Sequence, residues 1–172
     1  MSKFKEINGR TPEEMEKIVR FARKPLGFFL MAGANGTGKS FIAEAIYELH
    51  TPYKLPYYDK DIAYFISQGD LNEQWLDAKF NGGSKEISDR LKGTKLLVID
   101  DLGRKTPTDA FMEFIDSLID SRWKNRDKLG TIITTNLNAN QVRERLGDAF
   151  LSRVASGITM RFDGEDRRFL NF

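Results

Sequence analysis

Apolar residues fall in short blocks along this chain, and their spacing alternates between two kinds. Residues 27–31 (Gly-Phe-Phe-Leu-Met) and 96–99 (Leu-Leu-Val-Ile) are short runs that predict buried strands, 131–135 (Thr-Ile-Ile-Thr-Thr) predicts a further strand and 158–162 a last one. Between them, apolar positions recur at helical spacing. Phe41, Ile42, Ala45, Ile46 and Leu49 form one such face, and Phe111, Phe114, Ile115, Leu118 and Ile119 a second. Met15, Ile18, Val19 and Ala22 line a helix over 11–24, with Thr11 as its N-cap, Pro12 at its first position and Glu14 at N3. Residues 106–109 (Thr-Pro-Thr-Asp) start the helix that carries Phe111.

Three stretches are less regular. Residues 53–58 predict a second strand, although Pro56 weakens it. Residues 60–92 predict a broken helical region, punctuated by Gly69, Gly82 and Gly83. Residues 138–155 predict two short helices. Residues 1–10 are polar and expected to be flexible. The alternation predicts an α/β chain with a mostly parallel five-stranded sheet and helices on both faces. At 172 residues, one domain over 1–172 is expected.

Composition narrows the chemistry. The chain has no cysteine, which excludes disulfides, Cys-ligated zinc and thiol catalysis. A single histidine, His50, disfavours a His-based metal site. No run approaches the length of a membrane span, so no membrane contact and a cytoplasmic location are expected. A net charge of +2 permits contact with nucleic acid without requiring it.

Residues 33–40 read Gly-Ala-Asn-Gly-Thr-Gly-Lys-Ser, the phosphate-binding P-loop pattern. The glycines let backbone N–H groups converge on a triphosphate, and the following helix adds its positive end. Gly33, Ala34, Asn35, Gly36, Thr37, Gly38, Lys39, Ser40 and Phe41 are the candidate ATP-binding residues. Lys39 would reach the β- and γ-phosphates, and Ser40 would ligate Mg²⁺. The alternative is a glycine-rich turn with an accidental lysine, but the flanking strand and helix fit a P-loop.

Two further strand ends carry polar groups. Asp100 and Asp101 close the 96–99 run, at the end of a strand where sites of open α/β sheets form. Asp100 would hold Mg²⁺, and Asp101 would orient and deprotonate water. A solvated acidic turn is the alternative. Asn136 follows the 131–135 run. It is either a turn or cap residue or, beside the other two motifs, a γ-phosphate sensor.

In this order, these elements resemble the AAA+ ATPases, and within them the DnaC/DnaI-type helicase loaders and the related IstB-type transposition ATPases. The resemblance rests on residues 33–40, 96–103, 132–137 and 145–153 and spans about 25–168. It implies a P-loop NTPase with an AAA+ core, using ATP and Mg²⁺, without a lid domain. It implies that Arg153 acts as an arginine finger on a neighbouring subunit's ATP. It also implies that Arg167 or Arg168 serves as a second sensor. The expected partners are a replicative hexameric helicase, single-stranded DNA and other copies of the chain in an ATP-dependent oligomer. Asp101 stands where many AAA+ proteins carry Glu, one methylene longer, so slow turnover is expected.

Two basic clusters are candidates for nucleic-acid contact. One is residues 122–128 (Arg-Trp-Lys-Asn-Arg-Asp-Lys). The other comprises Tyr64, Phe65, Lys79, Lys85, Arg90 and Lys92. The leading expectation is an ATPase that loads a helicase on single-stranded DNA. A transposition helper on duplex DNA, a small-molecule P-loop kinase and a non-hydrolysing ATP switch are the alternatives.

Overall fold

The computed structural model describes residues 3–51 and 62–162. After a short 3-10 helix (Lys3–Glu6) come α1 (Pro12–Arg23), β1 (Gly27–Gly33), α2 (Lys39–His50), β2 (Ala63–Ser67), α3 (Gln68–Asn81) and α4 (Ser84–Gly93). They are followed by β3 (Leu96–Asp100), α5 (Asp109–Lys124), β4 (Gly130–Thr135), α6 (Ala139–Leu146), α7 (Asp148–Val154) and β5 (Ile158–Phe162). The five strands form one sheet in the order β2-β3-β4-β1-β5. Every neighbouring pair is parallel, with Leu30 beside Ile133 on one side and Thr159 on the other.

Side chains of alternate sign along each strand fill two cores. Phe28, Leu30, Leu97, Ile99 and Ile133 pack with α3 to α7. Phe29, Met31, Val98, Ile132 and Met160 pack with α1 and α2. The parallel sheet is therefore covered on both faces, as its near-continuous apolar strands require. α1 starts as expected: the Thr11 hydroxyl accepts from the Glu14 N–H, and the Glu14 carboxylate accepts from the Thr11 N–H.

Several expectations need correction. The strand expected at 53–58 lies outside the described residues. The strand beside β3 is Ala63–Ser67, inside the stretch predicted as broken helix. Five residues are too few to display a period, and pairing with β3 decides their state. Gly69 breaks nothing, since it sits in the first turn of α3. Leu49, assigned to the buried face of α2, is 47% exposed, whereas Phe21, left out of the α1 face, is buried.

Arg122 is the largest correction. It was placed in a basic cluster for nucleic acid, yet it is fully buried. Its Nε donates to Thr131 Oγ1 at 2.8 Å, Nη1 to the carbonyls of Leu91 and Thr94, and Nη2 to the carbonyl of Gly130 at 2.6 Å. Burial pushes its guanidinium down to about 9, so it remains charged at neutral pH. The fork of five donors ties the end of α4, the end of α5 and the start of β4 into one corner. The reading of the other cluster also shifts. Arg90 lies over the Tyr64 ring, and the Tyr64 hydroxyl donates to Gln74, so both join β2 to α3 and α4.

Arg122→Met would leave buried carbonyls unpaired. We expect it to lower unfolding stability by about 3 kcal/mol or more, read as a drop in the urea midpoint with an unchanged m-value.

Candidate nucleotide site

The carboxyl ends of β1, β3 and β4 meet at one end of the sheet. Gly33 closes β1, and a Cβ there would lie 2.1 Å from the Phe162 carbonyl oxygen, so only glycine lets β5 pass this close. The loop then turns through Gly36 and Gly38, both at positive φ. Gly38 is the N-cap of α2 and supplies no side-chain cap. The first N–H groups of α2 are therefore left for an external acceptor.

Lys39 is 5% exposed. Its Nζ donates to the carbonyls of Gly33 at 2.8 Å and Ala34 at 2.6 Å, and to Asn136 Oδ1 at 2.8 Å. Burial lowers its pKa, and the carboxylates of Asp101 and Asp100 oppose that shift. Asn136 Nδ2 in turn donates to Asp101 Oδ1. A continuous hydrogen-bonded chain thus links the P-loop lysine, the end of β4 and the turn after β3.

Thr134 organises the two acids. Its hydroxyl donates to Asp100 Oδ1 at 2.6 Å and accepts the Asp101 N–H at 2.8 Å. Asp101 has φ 58 and is the one non-glycine residue at positive φ among those described. That conformation costs on the order of 1 kcal/mol, and the neighbours hold it in place. The Leu102 N–H donates to the Thr134 carbonyl, Gly103 N–H to Gln68 Oε1, and Arg145 Nη1 to the Gly103 carbonyl. Arg104 pairs with the second Asp101 oxygen at 3.2 Å.

A cleft of about 610 Å³ collects most of the expected residues. Asn35, Gly36, Gly38, Lys39, Ser40, Phe41, Asp100, Asp101 and Asn136 all line it. Gly33 and Ala34 contribute through their carbonyls on Lys39. Thr37 is buried, its hydroxyl turned to the Ala34 carbonyl. Arg153 stands apart on α7, where Nη2 pairs with Asp120 of α5 at 3.0 Å. Arg167 and Arg168 lie outside the described residues.

The sequence reading missed four contributors. Thr134, Gln68 and Arg145 act through long-range contacts that no local motif announces. Arg10 donates to the Thr37 carbonyl and stacks over the Phe162 ring at 4.3 Å. Its position 27 residues before Thr37 hides that role. A larger cleft of about 900 Å³ beside the site is lined by Leu30, Leu137, Val142, Leu151 and Met160 among others. Its lining is mostly apolar and holds no P-loop lysine, so the smaller cleft is the one suited to phosphates.

The donor set suits a nucleotide. Open amides at a helix start and a buried ammonium face two carboxylates that can take up a divalent cation. No helix among the described residues is long and apolar enough to cross a membrane.

Comparison with known proteins agrees with this geometry. The family model described as IstB-like ATP binding protein matches residues 19–157, and the chain belongs to that family. It is an ATP-binding chain with the fold of AAA+ P-loop NTPases. The replicative helicase loader DnaC of Escherichia coli strain K12 is 28% identical over 134 residues, which is 77% of this chain and 51% of that protein. The chain thus spans about half the length of the curated relatives it matches. Among solved structures, the DnaC helicase loader matches with a TM-score of 0.74 at 22% identity, covering 94% of this chain and 97% of that one. DnaA from Aquifex aeolicus, bound to AMPPCP, matches with a TM-score of 0.77 at 14% identity, covering 92% and 48%.

The lowered Lys39 pKa carries a pH prediction. A bound triphosphate returns the amine toward its ordinary value, so the complex holds more protons than the free chain. ATP affinity should be greatest below the lowered pKa and fall as pH rises through it. Calorimetry in buffers of different ionisation enthalpy should show proton uptake on the alkaline side. Lys39→Met should lose both that uptake and most of the affinity.

Proposed function

We propose that this member of the IstB-like ATP-binding family hydrolyses ATP and uses the cycle to load or remodel a replicative helicase on single-stranded DNA. The observation that carries the reading is the chain Lys39–Asn136–Asp101 beside Asp100, which joins three strand ends around one cleft. The loader assignment draws on the likeness to DnaC over most of the chain.

The roles follow from the chemistry of each group. The P-loop amides and Lys39 bind the phosphates. Ser40 and Asp100 would hold Mg²⁺, which would supply positive charge against the phosphates. Asp101 accepts a proton from the attacking water, and its turn keeps that carboxylate aimed into the cleft. Asn136 bonds Lys39 and Asp101 at once, so a γ-phosphate that draws Lys39 away also frees the amide. Asn136 then contacts the γ-phosphate and the water. Arg153 completes the site of a neighbouring subunit. Its ion pair with Asp120 holds the guanidinium against α5 of its own subunit until assembly. The second reading is a transposition helper on duplex DNA, which follows from the resemblance to the IstB-type ATPases.

ATP hydrolysis per subunit, followed against protein concentration with and without single-stranded DNA, tests the proposal. Specific activity should rise with concentration, and DNA should steepen the rise. Arg153→Ala should remove the rise, with a loss of about 10³-fold in kcat and unchanged ATP binding. Flat activity, indifferent to DNA, would overturn the assembly step. Preferential stimulation by duplex would move the assignment to the second reading. Asp101→Asn with unimpaired turnover would remove Asp101 as the base.

A further inference from the structure

The end of the sheet opposite the nucleotide site gathers the chain's turns that feed β1, β3 and β4. Backbone contacts make these turns one surface. The Gly27 N–H donates to the Leu129 carbonyl and the Gly130 N–H to the Lys95 carbonyl, and Pro25 packs against Gly130. Arg23, Lys24, Lys95, Lys124, Arg126 and Lys128 all lie here, and all are exposed. Asp127 is the one acid in the same turns. The whole chain carries only +2, so this concentration leaves the remainder net acidic.

Cations at helix C-termini are favoured by the helix dipole, which accounts for Arg23 and Lys124. It does not account for Lys95, Arg126 and Lys128, which stand outside any helix. Lys124 is paired with Asp120. Among the described residues, no carboxylate lies within 4.0 Å of Arg23, Lys24, Lys95, Arg126 or Lys128. Unpaired cations of one sign on a shared face repel one another, and a polyanion relieves that repulsion.

We propose that this face docks the phosphate backbone of double-stranded nucleic acid. Lys95, Lys128 and Lys24 precede three adjacent strands, β3, β4 and β1, whose spacing of about 4.8 Å ranges them across this end of the sheet. Such a row meets a ridge of phosphates. It offers no platform for unstacked bases: the half-buried Trp123 ring is covered by the Arg126 guanidinium at 4.3 Å. Single-strand binding needs such platforms, whereas backbone binding to a duplex does not. The contact is independent of the nucleotide site, which lies at the other ends of the same strands.

The test is fluorescence anisotropy with a labelled duplex of arbitrary sequence, titrated over salt from about 50 to about 200 mM. The comparison is between the parent chain, Lys95→Glu/Lys128→Glu and the control Lys5→Glu/Lys17→Glu, whose lysines lie on the short 3-10 helix and on α1, outside both basic clusters. The first variant should weaken duplex binding on the order of tenfold or more, and lower the salt slope by about two. The control should bind as the parent does. ATP affinity should stay unchanged in both, which separates the docking face from the nucleotide site. Lys95→Gln/Lys128→Gln, with matched thermal stability, guards against a folding defect. Unchanged duplex affinity and slope in the first variant would overturn the proposal. So would a loss confined to single strands, a loss seen only in the control, or titration of the face by phosphatidylserine vesicles but not by duplex.

Discussion

A buried ammonium needs partners, and that requirement organises the functional end of this molecule. Lys39 sits in a helix start with almost no exposure. Its three donors go to the Gly33 and Ala34 carbonyls and to Asn136. Those bonds bend the P-loop back over its own strand and tie it to the end of β4. Asn136 extends the link to Asp101, and Thr134 extends it to Asp100. The alternative, an unpaired buried charge, would cost several kcal/mol. The geometry of the carboxylates is therefore set by the same network that satisfies the lysine.

The sheet brings the members of the network together from distant parts of the chain. β3 and β4 run parallel in register, which places Asp100 and Thr134 at the same level. The Asp101 turn is held by β4 through Leu102 and by α3 and α6 through Gly103, while Arg104 pairs with Asp101 itself. α3 participates through Gln68, so movement of α3 and of the acidic turn are mechanically linked. At the far end, Arg122 performs a similar task with the same physics. It satisfies three carbonyls, two at the end of α4 and one at the start of β4, without any carboxylate, and so holds the corner from which β4 starts. One buried cation closes each end of β4, and a third set remains on the outside as a charged face.

Much of this was legible. The strands β1, β3 and β4 announced themselves because both of their faces are buried, and β5, at the sheet edge, because exposed and buried residues alternate along it. α1 announced itself through a capping box, and the P-loop through its glycines. The misreadings have particular causes. β2 is five residues long with Tyr64 and Phe65 half-buried, so pairing rather than pattern defines it. Arg122 looked like a surface cation because charge predicts exposure unless buried acceptors are waiting, and its four acceptors come from the end of α4 and the start of β4. Arg10 and Gln68 carry no local signal at all.

Sequence alone determined the class of fold, the phosphate-binding loop and the positions of the acids, because period and motif are local properties encoded within a few residues. The tertiary structure decided what those residues bond to. Whether Lys39 meets Asn136, whether Arg122 faces water or carbonyls, and which carboxylate holds Arg153 depend on contacts between positions far apart in the chain. Such contacts exist only once the parallel register has brought the strand ends to one level and the connecting turns to the other.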